Sequence, residues 1–256
     1  MMHHNPQIDP IFIKGKNGAG VVLLHGFTGT PDSMRPLANF LGEAGFTVSV
    51  PLLAGHGTTP ENCAKTTWHD WYQSAKLAYM ELHEQCAKVF VAGLSLGSLL
   101  TLKLANDYPH VISGIACLAT PLYLKAWPSM MLPIIWKTPL RTLYTYQKKF
   151  GVDIKDPQAK LNFWNYDRMP LSCIVSITDL QSEIQQSLSQ IHTPLLLIHS
   201  RHDSTAPFES MNRVAAGVSS TTTETVTLEN SFHVITIDYD KDLVAQKVTQ
   251  FFQRFV

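Results

Sequence analysis

Lys88-Val89-Phe90-Val91-Ala92-Gly93-Leu94-Ser95-Leu96-Gly97-Ser98-Leu99-Leu100 decides how this chain folds. A short apolar run rich in β-branched residues stops at a glycine, a serine follows between two glycines, and leucines at helical spacing begin at once. That is strand, turn and helix in thirteen residues. Gly93-Leu94-Ser95-Leu96-Gly97 has the pattern Gly-x-Ser-x-Gly, which occurs by chance in many proteins and gains meaning between a buried strand and a helix. A serine lifted on so sharp a turn has strained backbone angles. Both flanking glycines are needed there, because a Cβ at either would collide with the neighbouring strand or helix. Ser95 is the candidate nucleophile, and the amides that open the helix put positive potential where negative charge would develop.

Working outward, strands and helices alternate in the manner of a parallel sheet covered on both faces. Val21–Leu24 reads as a buried strand, and a helix then runs through Leu37, Phe40, Leu41 and Ala44 until Gly45 stops it. Phe46–Val50 is a strand, Trp68–Gln85 a helix, Lys88–Ala92 a strand, Leu96–Asn106 a helix and Val111–Leu118 a strand. From Thr120 to about Ile191 the alternation fails. Pro121, Pro128, Pro133, Pro139, Pro157 and Pro170 interrupt any long helix there, and the segment reads as a cap inserted over the sheet. Alternation resumes with Leu195–Ile198, a helix from about Phe208, the strand Thr225–Leu228 and a last helix striped by Val244, Val248, Phe251, Phe252 and Phe255. The expectation is one α/β domain over residues 1–256, a mostly parallel sheet with helices on both faces and a cap at about 120–191.

A serine hydroxyl is a weak nucleophile until a neutral imidazole takes its proton, and that imidazole needs a carboxylate to orient it. In a fold with this elbow the chain order is serine, acid, histidine. Of eleven histidines, only His233, in Asn230-Ser231-Phe232-His233-Val234, follows the late acidic candidates. Asp203 comes just after the strand Leu195–Ile198, at the carboxyl edge of the sheet where Ser95 emerges, and is the candidate acid. Asp179 is the runner-up, with a helix cap as its plainer role, and His202 reads as structural. For the oxyanion the donors are the backbone amides of Leu96 and of Phe27, the latter in His25-Gly26-Phe27-Thr28-Gly29, where Gly26 lets the loop turn its amide inward. His25 reads as a brace for that loop, and Gly55-His56-Gly57 as a tight turn.

Composition bounds the partner. Of the 256 residues 45% are hydrophobic and 16% charged, and twenty basic residues cancel twenty acidic ones, so no basic field would hold nucleic acid. A small, weakly charged molecule is expected instead, with transient contact to a lipid surface left open and the oligomeric state not readable. Met1–Pro6 lacks the start of a secretory signal, and no apolar run approaches a membrane span, so a cytoplasmic location is expected. Cys63, Cys86, Cys117 and Cys173 have neither the spacing of a metal site nor a paired motif, and read as buried reduced thiols. No metal or cofactor is expected.

These motifs, with His25–Pro31, Ser33–Ala38, Gly55–Thr58 and the pair Asp70-Trp71, resemble the bacterial monoacylglycerol lipase and carboxylesterase branch of the α/β-hydrolases. The resemblance implies the same triad of Ser95, Asp203 and His233 and the same oxyanion amides at Phe27 and Leu96. Two departures stand out: Ser98 occupies a position where the family commonly has glycine, and Asp167, in Tyr166-Asp167-Arg168-Met169-Pro170, replaces a glutamate that would face glycerol. Asp167 therefore keeps two readings, a substrate contact or a solvated cap residue. The cap also holds Trp127, Met130, Met131, Leu132, Ile134, Ile135 and Trp136, of which Trp127, Met131 and Ile135 are candidates for an acyl-binding face. A serine at the elbow disfavours the aspartate-dependent dehalogenases and epoxide hydrolases of this fold. It leaves a thioesterase, a carbon-carbon hydrolase or a non-catalytic ligand-binding protein as alternatives to the esterase.

Overall fold

The structure, a computed structural model, describes residues 7–123, 138, 145–149 and 151–256. Its strands in chain order are β1 (Ile11–Ile13), β2 (Ala19–Leu24), β3 (Thr47–Val50), β4 (Lys88–Leu94), β5 (Gly114–Leu118), β6 (Tyr146–Lys148), β7 (Arg168–Pro170), β8 (Leu195–Ser200) and β9 (Thr223–Leu228). Seven of them form one sheet in the order β1-β3-β2-β4-β5-β8-β9, parallel except for β1, which pairs antiparallel with β3. β6 and β7 make a separate antiparallel ribbon.

The central strands are buried on both faces, which is why they read as continuous apolar runs rather than as alternating ones. Consecutive residues still part company. Val22, Leu24, Val89 and Val91 face a core that includes Trp71, Tyr79, Leu99 and Ile184. Val21, Leu23, Phe90 and Ala92 face the other side, where Phe90 stacks on Phe252 of the last helix with ring centroids 4.7 Å apart. Helices Trp68–His83, Leu96–Asp107 and Leu171–Ser187 cover the first side; Arg35–Glu43 and Lys241–Gln253 cover the second. The pair Asp70-Trp71 is explained locally: Asp70 Oδ2 accepts the Thr67 amide at 2.8 Å at the start of its helix, while the Trp71 indole donates to Thr66 Oγ1 at 2.9 Å and fills the core.

β2 and β4 are adjacent, but the chain leaves β2 toward β3 on one side and runs from β4 to β5 on the other. The carboxyl ends of β2 and β4 therefore flank the switch point of the sheet, where α/β proteins bind ligands.

Three differences from the sequence-based expectation have physical causes. β1 was not anticipated, since it is three residues long, lies at the sheet edge and leaves Phe12 exposed. The strand expected from Val111 starts at Gly114, because Tyr108–Ser113 turn through a left-handed His110 at φ 65°. The prolines said to break any long helix up to Ile191 stop at Pro170. Leu171–Ser187 then runs unbroken for 17 residues and buries Cys173, Ile177, Leu180 and Ile184 in the same core as the sheet. Asp179 is exposed in the middle of that helix and caps nothing. Among the described residues no helix is long and apolar enough to cross a membrane.

Candidate active site

Ser95 sits between β4 and the helix Leu96–Asp107 at φ 54° and ψ −116°, a strained conformation of a kind that costs about 1–3 kcal/mol. Its amide donates to Leu118 O at 2.9 Å, which ties the turn to β5. The glycines act by proximity. A Cβ on Gly93 would lie 2.1 Å from Gly97 O, and one on Gly97 would lie 2.1 Å from Leu24 O. Ser98 does not crowd the helix: it is buried, and its hydroxyl donates to Ser95 O at 2.6 Å.

Asp203 follows β8 with a fully buried side chain. Oδ1 accepts the amides of Thr205 at 2.9 Å and Ala206 at 2.7 Å, and Oδ2 accepts from His233 Nδ1 at 2.8 Å and from His199 Nε2 at 3.1 Å. Burial acts to raise the pKa of this carboxyl, but the His233 charge and the donors around it outweigh that and hold it well below the usual carboxylate range. An ionised carboxylate only accepts, so His233 carries its proton on Nδ1 and turns the Nε2 lone pair to Ser95 Oγ, 2.9 Å away. Burial alone would depress the His233 pKa; Asp203 and, more weakly, Asp153 raise it above the ordinary imidazole value despite opposition from Lys149.

The loop bearing His233 is stitched to a segment of the expected cap. Asp153 O accepts the amides of His233 at 3.0 Å and Val234 at 3.3 Å, while Asp153 Oδ2 accepts from Ser204 N and Thr205 Oγ1, each at 3.0 Å, in the loop after Asp203. Asp238, buried, accepts from Lys155 N at 2.8 Å, Asp156 N at 2.9 Å and Phe232 N at 2.9 Å.

The His25–Gly29 loop crosses directly over the serine, since a Cβ on Gly26 would meet Ser95 Cβ at 3.3 Å. Gly26 thus serves close approach, and the left-handed residue that turns the loop is Thr28, at φ 62°. Neither the Phe27 nor the Leu96 amide is hydrogen-bonded to the described residues; Leu96 is the first residue of its helix, a position whose amide has no intrahelical acceptor. His25 accepts the Leu53 amide on Nε2 at 3.1 Å and donates from Nδ1 to Gly26 O at 3.0 Å, which braces the loop. Burial, aided by its neighbour His56, lowers the His25 pKa to about 3, and burial lowers that of His56 to about 4. The Phe27 ring packs against His56 and Trp71, each with centroids 5.9 Å away.

Ser95, His233, Asp203, Phe27 and Leu96 are therefore brought to one place. Asp167 is not brought to this place: it is exposed just before β7, its carbonyl accepts the Lys149 amide at 3.0 Å and its charge acts on the neighbouring Arg168. Trp127, Met131 and Ile135 lie outside the described residues. His202 is exposed, 3.9 Å from Glu229 Oε2. All four cysteines are free, and Cys86 is only partly buried, contrary to the expectation for it. Sequence reading missed His199, Asp153, Asp238 and Lys149. His199 was within reach, as a second imidazole four residues before the acid at the end of a buried strand; the others act through backbone contacts or long-range proximity.

A mostly parallel sheet carrying a strained serine at its switch point, in hydrogen-bond reach of a carboxylate-oriented imidazole, defines the α/β-hydrolase class of serine hydrolases. The chain belongs to the family described as serine aminopeptidase, S33, which matches residues 15–240, and it is an enzyme of the serine hydrolase type. It is 38% identical over 240 residues to a thermostable monoacylglycerol lipase of Bacillus sp. strain H-257, covering 93% of this chain and 92% of that one. A carboxylesterase of Bacillus subtilis strain 168 is 31% identical over 247 residues, covering 96% of each chain. Among solved structures, one of the metagenome-derived lipolytic enzymes LipS and LipT superposes with TM-score 0.90 at 33% identity, over 97% of this chain and 98% of the other. A monoacylglycerol lipase of Paleococcus ferrophilus superposes at 0.80 with 17% identity, over 95% and 97%, and shares the fold.

Proposed function

We propose that the protein hydrolyses carboxylic esters with apolar acyl chains, as a carboxylesterase or monoacylglycerol lipase, through Ser95, His233 and Asp203. The observation that carries this is the unbroken relay of 2.9 Å from Ser95 Oγ to His233 Nε2 and 2.8 Å from His233 Nδ1 to Asp203 Oδ2. Ser95 attacks the ester carbonyl as His233 takes its proton, and the tetrahedral oxyanion is held by the amides of Phe27 and Leu96. His233 returns the proton to the leaving alcohol. Water then hydrolyses the acyl-enzyme by the same route in reverse. Each group the reaction uses belongs to the chain or to water.

The family's description names a peptidase, whereas the two relatives that cover more than nine-tenths of the chain are named for ester hydrolysis. Esters of small molecules are therefore the proposed substrates. In the same proposal the protein is one α/β unit, and the segment from about 120, up to the point where the Leu171–Ser187 helix begins, forms a cap over the serine and supplies the acyl-binding face.

Ser95→Ala should lose roughly four to six orders of magnitude in turnover, because triad members act as a unit, and should no longer be labelled by a fluorophosphonate. A Ser95→Ala protein that still hydrolyses esters at a substantial rate overturns the assignment. Rates on monoacylglycerols, on ethyl esters from acetate to decanoate and on aminoacyl nitroanilides test the substrate class. Longer acyl chains should be preferred; faster cleavage of the anilides would make the protein a peptidase.

A further inference from the structure

Lys149 directly follows the ribbon strand β6, with its ammonium turned toward the His25–Gly29 loop. Nζ donates to Thr28 Oγ1 at 2.7 Å and to Asn165 Oδ1 at 3.2 Å, and both acceptors are neutral. Among the described residues no carboxylate pairs with it. The acidic residues nearest along the chain are occupied elsewhere: Asp153 holds Ser204 and Thr205 with its carboxylate, and Asp156 caps the helix Pro157–Asn162 by accepting the amides of Gln158 and Ala159; Asp167, beside the ribbon, is exposed. Two of the three ammonium protons are used, and the third has no partner among the described residues. Charge drawn partly out of water without a counter-charge is costly, so a half-buried ammonium left in this state is normally completed by something else. Burial already lowers its pKa to about 8.

Its position says what could complete it. Thr28 directly follows Phe27 in the loop that crosses Ser95, and the Lys149 charge is felt at His233, where it opposes protonation. The cation therefore stands at the rim of the reacting centre, on the side of the oxyanion loop.

We propose that Lys149 binds an anionic group on the substrate, so that half-esters of dicarboxylic acids, with a free carboxylate a short chain away from the scissile carbonyl, belong to the substrate range. This rests on the ester-hydrolase function proposed above and narrows it. A carboxylate reaching Nζ would accept a hydrogen bond from the spare N–H and supply the missing negative charge, while the reacting ester stays beneath the Phe27 and Leu96 amides. A neutral substrate of equal length leaves the ammonium unpaired.

The test compares monoethyl adipate with ethyl hexanoate, which differ by the terminal carboxylate. Lys149→Met should lower the ratio of their kcat/KM values by about tenfold or more, the scale of a lost charge-assisted hydrogen bond, and Lys149→Arg should largely keep it. Because the ratio is internal to each variant, a general loss of activity or stability does not move it. A ratio in Lys149→Met within about twofold of the parent overturns the proposal. Calorimetry of adipate binding to the Ser95→Ala protein separates the two hypotheses. Lys149-dependent adipate binding, together with a parent protein of intact Ser95 that turns over neither ester, would keep the anion site and sink the ester-hydrolase function. Absence of such binding, with ethyl hexanoate still cleaved, would do the reverse.

Discussion

Asp203 shares one carboxylate oxygen between two imidazoles, and what His199 takes of its basicity His233 does not receive. His199 Nε2 also lies 3.3 Å from Ala206 O, so both of its neighbours are acceptors and this nitrogen must carry a proton. His199 is a positioning residue, acting on the serine only through the acid. His233 must be neutral to accept the serine proton, and its pKa is raised above the ordinary imidazole value, so activity should fall with decreasing pH through an apparent pKa above 6.5. In His199→Phe the carboxylate loses a donor and becomes more basic toward His233, which should move this acid limb to higher pH. A lost hydrogen bond to a charge is worth about 1.5–3 kcal/mol, so kcat/KM should drop on the order of tenfold, with partial recovery in His199→Gln. A pH profile unchanged from the parent, alongside a lower Tm, would assign His199 to packing alone.

At the scale of elements, the crossing of β2, β4 and the helix after Ser95 leaves no room for a methyl group. Gly97→Ala would force a Cβ to within 2.1 Å of the Leu24 carbonyl, backbone that has no rotamer to escape into. We expect a loss of more than about 3 kcal/mol in urea unfolding, or no soluble protein, and a stable Gly97→Ala variant would show that the strand and helix can separate. This crossing was legible before any coordinates, because glycine spacing and apolar period are local properties of the chain. The meeting of Ser95, His233 and Asp203 was legible for a related reason: chain order leaves a single histidine after the late acid. What could not be read was held by contacts without a residue signature. Asp153 contributes a backbone carbonyl, and no sequence pattern marks which carbonyl will meet the His233 loop. The Leu171–Ser187 helix was hidden by the prolines before it, although none falls inside it.

The molecule as a whole keeps two neutral imidazoles in its interior, His25 with pKa lowered to about 3 and His56 to about 4. In the unfolded chain both take up protons near 6.5, so between that pH and roughly 4 the unfolded state binds more protons than the fold and stability declines as pH falls. The slope is at most about 1.4 kcal/mol per pH unit for each histidine. His233, whose pKa is raised, works the other way: the stability it contributes is fully present below the unfolded value and fades as pH rises through the folded one. Urea unfolding from pH 7 to 5 should therefore show declining stability, with a shallower slope in His56→Asn; an equal slope in that variant would remove His56 from the account. The seam formed by Asp153 and Asp238 reaches further than stability. Anyone grafting a foreign lid onto this scaffold to change its selectivity would also be replacing the fastener that aligns acid and base, so a transplant cut inside residues 153–156 should disarm the enzyme even when the new roof fits.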